Sequence, residues 1–173
     1  MGEMSTRGAI ARQQGDGWEG VYQHFDSYPT VLGKKIWQQL HNGYNMDIER
    51  FLTESIDQHP GGWSSYPDRC YCHWEGREEN DPPMTMTNRD ADPLSIEWVY
   101  ALAPQAKMMA IFATENVTKK PPAGVNSHHC ESSRTIHLDG TEETDPESWY
   151  VHRLIKVIRL DGPEPNWDAI EEG

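Results

Sequence analysis

The sequence predicts an α+β fold: an antiparallel sheet of about five strands with two consecutive helices packed on one face. Three observations carry that expectation. Alternating or β-rich segments occur at both ends of the chain, two helix-period stripes lie together between them, and the strands are not regularly interleaved with helices as a parallel βαβ fold requires. The 173 residues suit a single domain spanning 1–173, with 161–173 as an irregular acidic tail.

Thr6–Arg12 and Trp18–His24 flank Gln13-Gln14-Gly15-Asp16-Gly17 and read as a β-hairpin. Placing Arg12 opposite Trp18 sets Gly8 against Tyr22, where a glycine lets the ring lie across its neighbour. Pro29 suits a first helical turn, Leu32, Ile36, Trp37 and Leu40 form one face, and Asn42-Gly43 supplies a stop. The second helix is carried by Ile48, Phe51, Leu52 and Ile56, with Asn45 or Asp47 as its N-cap. Trp63–Pro93 is rich in turn formers, apart from a short alternation at Met84-Thr-Met86-Thr. Ile96–Leu102 and Lys107–Ala113 make a second hairpin around Ala103-Pro104-Gln105-Ala106. Lys119–Thr135 is polar and reads as irregular. Trp149–Leu160 is assigned as a strand because Val151, Ile155, Val157 and Ile158 outweigh the helix-start signal of Asp145-Pro146-Glu147. The proline-rich Gly162–Trp167 reads as irregular.

Charge excludes some functions. With 15 Lys+Arg against 28 Asp+Glu, the formal charge of −13 argues against direct nucleic-acid binding, which rests on cations meeting phosphates. No apolar run reaches the roughly 20 residues of a transmembrane helix, and Met1–Arg7 lacks an apolar signal core. The 3 cysteines therefore suggest a reducing, cytoplasmic setting in which thiols are free or bind metal. Residues 121–173 hold 4 basic and 11 acidic side chains, a surplus of 7 negative charges. Within them Asp139, Glu142, Glu143, Asp145 and Glu147 form an acidic segment, read either as a solvated turn or as a face for a basic partner protein.

Two further clusters carry chemistry. Cys70-Tyr-Cys72-His73 and His128-His129-Cys130 gather all the cysteines into two short groups, a distribution suited to a structural zinc held by Cys70, Cys72, His73 and either His128 or Cys130. Their spacing is not that of a common zinc finger, and the competing reading is unliganded loop residues. Arg7, His24 and Asp26 offer a cation, a titratable base and a carboxylate near one end of the first hairpin. They form either the rim of an enzyme site or an ion pair, Arg7 with Asp26, that pins the start of the helix. The sequence lacks a Gly-rich phosphate cradle, a Gly-x-Ser-x-Gly elbow and a His-Glu-x-x-His helix.

Ser5-Thr6-Arg7-Gly8, followed by Tyr22-Gln23-His24-Phe25-Asp26-Ser27-Tyr28-Pro29 and Gly33, resembles an uncharacterised group of bacterial and phage proteins. That group opens with Met-(Gly or Ser)-Thr-Arg and passes through a hairpin into an aromatic-Asp-x-Tyr-Pro-x-x-x-Gly segment and a helix. Cys70-Tyr-Cys-His73 and Ile96-Glu-Trp-Val-Tyr100 also resemble segments of the group. The likeness spans residues 1–40 well and 70–115 loosely, and implies a fold and a phage or mobile-element setting but no activity. The reading reached from the residues is a small acidic binding protein, an inhibitor or accessory protein resembling nucleic acid in charge. Its rival is an enzyme using Arg7, His24 and Asp26. Partner identity and oligomeric state are left open.

Overall fold

The computed structural model describes residues 6–15, 17–23, 26–58, 85–88, 96–129, 134–144 and 149–173. The fold is α+β. Nine strands are described: β1 (Gly8–Gln14), β2 (Gly17–Gln23), β3 (Thr85–Thr87), β4 (Trp98–Ala103), β5 (Met108–Val117), β6 (Ser127–His129), β7 (Arg134–Ile136), β8 (Glu142–Thr144) and β9 (Trp149–Arg159). Seven of them form one sheet in the order β3-β2-β1-β4-β5-β9-β6, and β7 pairs with β8 in a separate two-stranded ribbon.

The main sheet is mixed, not antiparallel throughout. β1 runs antiparallel to β2 but parallel to β4, with Gly8 opposite Trp98 and Arg12 opposite Leu102. Between β2 and β4 the chain passes through helices and through β3, and it re-enters at the end of the sheet that β2 left, since Gln23 and Trp98 both stand beside Gly8. Two reversals in succession, β1 into β2 and β2 into β4, each re-entering at the end of the sheet it left, bring β4 in parallel to β1. Local patterning detects hairpins and is silent about pairing across so long an interval.

The first hairpin is present with a different register. Gln14 pairs with Gly17, a shorter connection than the five residues expected, and Gly15 takes φ +55°, which a glycine adopts readily. The shorter turn sets Ala9 opposite Tyr22 and Gly8 opposite Gln23, correcting the expected Gly8–Tyr22 pair. Gly8 is required for another reason: a Cβ there lies 2.5 Å from the Ser27 Cβ and 2.9 Å from the Trp98 carbonyl oxygen.

Alternation along the strands gives the sheet two apolar faces. On one face Val21, Ile10, Tyr100 and Ile111 stand in a row across β2, β1, β4 and β5, all fully buried. The helices cover this face. α1 (Lys34–Asn42) follows a π-helical turn at Pro29–Gly33 and contributes Ile36, Trp37 and Leu40, with Leu32 just before it. α2 (Ile48–Leu52) contributes Ile48, Phe51 and Leu52, and the following π-helical turn (Thr53–Asp57) adds Ile56. Asp47 is the cap, its carboxylate accepting from the Arg50 N–H at 3.1 Å.

A third helix, α3 (Trp167–Glu172), replaces the expected irregular tail and places Trp167 and Ile170 in the same core. Pro163 and Pro165 precede the helix and do not interrupt it, while Asn166 accepts from the Ala169 N–H at 3.2 Å. On the opposite sheet face Tyr22, Ala9, Val99, Phe112 and Leu154 form a row through β2, β1, β4, β5 and β9. Part of the expected irregular span 119–135 is extended, as β6 and the first residues of β7. Among the described residues no helix is long and apolar enough to cross a membrane.

Candidate functional site

The acidic segment folds in part as the β7–β8 ribbon. Arg134, Thr135 and Ile136 pair with Thr144, Glu143 and Glu142. The turn between the strands is closed by backbone bonds, His137 N–H to the Thr141 carbonyl at 2.8 Å and Gly140 N–H to the His137 carbonyl at 2.9 Å. Asp139 fixes the same turn, one carboxylate oxygen accepting from Thr141 Oγ1 at 2.6 Å and from the Thr141 N–H at 2.9 Å. The Thr141 hydroxyl first, and then its N–H, hold the Asp139 carboxyl below its ordinary range, because both bonds favour the charged form. Beside Asp139, Leu138 is 111% exposed, as open as an apolar side chain can be. Asp145 and Glu147, the remaining acidic candidates, lie outside the described residues.

Arg7 and Asp26 are brought to the same end of the sheet, flanking a bond from the Ser27 N–H to the Thr6 carbonyl at 3.2 Å. The Arg7 backbone carbonyl accepts from the Glu97 N–H at 2.8 Å, and its own N–H reaches the Glu97 carboxylate at 3.3 Å. Tyr100 lies beneath and donates its hydroxyl to the Ser27 carbonyl at 2.6 Å. Burial, with the nearby charge of Glu171 adding to it, pushes the Tyr100 hydroxyl well above its ordinary range, so it remains a donor. Asp26 has φ +49°, in the left-handed region, which an aspartate tolerates better than most residues. The described ion pairs are Arg12–Asp57, Arg50–Glu54 and Arg159–Asp161; among the described residues Arg7 and Asp26 do not pair. His24, the base of the enzyme reading, lies outside the described residues.

Of the metal candidates, the described structure places only the backbone of His128, in β6 opposite Tyr150 of β9. Cys70, Cys72, His73 and Cys130 lie outside the described residues. Among the described residues no group of three or more His, Cys, Asp or Glu side chains is arranged to hold a metal ion.

Sequence reading missed a cleft of about 750 Å3 lined by β5, β9 and the loop that leads to β6. Exposed Lys119, Lys120 and Arg153 line it together with Phe112, Val151 and Leu154. Neither this cleft nor a smaller one of about 380 Å3 beside α3 includes Arg7 or Asp26. The Lys119-Lys120-Pro121-Pro122 run was the one local signal for the larger cleft; its other wall comes from a strand some thirty residues later. No family model, curated protein or solved structure matches the chain.

Proposed function

We propose that this chain is a small acidic binding protein whose β7–β8 ribbon engages a basic partner protein, as an inhibitor or accessory protein resembling nucleic acid in charge. The observation that carries this reading is the fully exposed Leu138 beside Asp139, at the tip of a ribbon within the most acidic part of the chain. Carboxylates accelerate encounter with a positive surface, while an exposed apolar side chain supplies contact area once the surfaces meet.

A displacement assay tests the proposal. Basic nucleic-acid-binding proteins of the native host, each loaded with labelled duplex DNA, are titrated with the chain. At least one is expected to release its DNA, with weaker release as salt is added. If these carboxylates serve a partner and not the fold, reversing Glu142, Glu143 and Glu147 to Lys is expected to change stability by no more than about 0.5 kcal/mol. The same variant slows association by roughly tenfold. Full displacement by the triple variant, with loss of function in Arg7→Ala or Asp26→Ala variants that still fold, transfers the function to the hairpin end.

A further inference from the structure

In a chain of formal charge −13, the cleft beside β9 reverses the sign: Lys119, Lys120 and Arg153 line it against one carboxylate, Glu115. One of its cations is held in place. The Lys120 ammonium sits 5.6 Å from the centre of the Trp149 ring, a cation–π position that restrains an otherwise mobile side chain. The loop carrying the lysines is stiffened by Pro121-Pro122 and tied to β9 by the His152 N–H donating to the Asn126 carbonyl at 2.9 Å.

The apolar lining is set by an irregularity in the sheet. Pairing between β5 and β9 shifts at Ile111/Phe112, so Lys156 faces Ile111 but Leu154 faces Phe112. The residue skipped, Ile155, packs against the helix-side core. Leu154 is thereby set beside Phe112 and left 52% exposed. Bulges re-aim side chains in this way, and without one Leu154 loses its place next to Phe112.

We infer that this cleft binds a small amphipathic carboxylate, its apolar body against Phe112 and Leu154 and its head group among Lys119, Lys120 and Arg153. The cations supply charge-assisted bonds to the carboxylate, and the apolar walls favour a ligand with a body over a bare ion. Glu115 in the same cleft disfavours a polyanion. The site is separate from the acidic ribbon, so the inference stands or falls apart from the proposed function.

The probe is decanoate, titrated calorimetrically into the full chain below its aggregation concentration, with decylamine and inorganic phosphate as comparisons. One saturable decanoate site per chain is expected, with no measurable binding of decylamine or phosphate. Lys120→Glu with Arg153→Glu is expected to weaken decanoate binding at least tenfold, and Leu154→Asp to do the same. Should the double charge reversal misfold, Lys120→Gln with Arg153→Gln in its place is expected to weaken binding severalfold. No saturable decanoate site overturns the inference, as does equal binding of decylamine or unchanged affinity in variants whose circular dichroism is that of the wild type. Binding of an apolar peptide through its free C-terminus, with none of decanoate, also overturns it in favour of a protein ligand.

Discussion

The helix-covered half of the sheet and the β7–β8 ribbon are both β structure, and they are held in opposite ways. In the first, Ile10, Tyr100 and Ile111 line up across neighbouring strands and are fully buried beneath α1, α2 and α3. In the second, residues 137–141 are all exposed, and the turn is held by an Asp139–Thr141 hydrogen-bond pair. Burial contributes roughly 1.5–3 kcal/mol per large apolar side chain, whereas an exposed hydrogen-bonded turn contributes little to global stability. The lesson is a division of labour: the packed half sustains the fold, and the ribbon can change sequence at small cost to it.

Substitutions in the packed region are expected to cost far more than those in the ribbon. Gly8→Val forces a branched side chain against Ser27 and the Trp98 carbonyl, where strand packing and backbone both resist. The expected loss is at least about 1–3 kcal/mol, as for an overpacked core, read from the urea midpoint. An unchanged midpoint means that β1, β4 and the Ser27 segment are not packed as described. Asp47→Ala removes the cap of α2, and the expected loss is about 1 kcal/mol in the same experiment, with Asp47→Asn recovering most of it.

The smallest effect is on the ribbon. Thr141→Val removes the hydroxyl donor to Asp139 and is expected to leave the urea midpoint unmoved. Because the folded Asp139 carboxyl lies below its unfolded value, its contribution to the turn is present above the ordinary carboxylate range. That contribution is lost as pH falls through the folded value. The valine variant is expected to titrate nearer the ordinary value, so the loss occurs at a higher pH. A carboxyl-carbon NMR titration of Asp139 reads this directly, and an identical curve in both proteins removes Thr141 as the cause.

How much of this was legible beforehand follows the range of each interaction. The stripe Ile48, Phe51, Leu52 and Ile56 is local and the structure buries each member; of the two cap candidates, Asn45 and Asp47, Asp47 takes the role. The β4–β5 hairpin was equally readable, since Pro104-Gln105 marks its turn. The first hairpin is legible in the sequence but its register is not. A two-residue and a five-residue turn both fit Gln13–Gly17, and only the ladder decides between them. The parallel pairing of β1 with β4 and the docking of α3 on the helix-side core depend on contacts distant in sequence, which periodicity does not encode. The cleft was hidden for the same reason: Lys119 and Arg153 are each unremarkable until β5 and β9 bring them together.

The parallel β1–β4 pair also sets an order of events during synthesis. Between Gln23 and Trp98 lie 74 residues, so the ribosome spends roughly 4–15 s making them at ~5–20 residues per second. β2 is made directly after β1, and hairpins form in microseconds, whereas the other edge of β1 gains its partner only when β4 has been made. The strand left waiting carries Ala9, Ile10 and Ala11, three apolar residues in succession and all completely buried in the finished protein. Until β4 is made, the partner for that edge does not exist, and the β1–β4 pairing covers an edge of the kind that templates unwanted strand pairing.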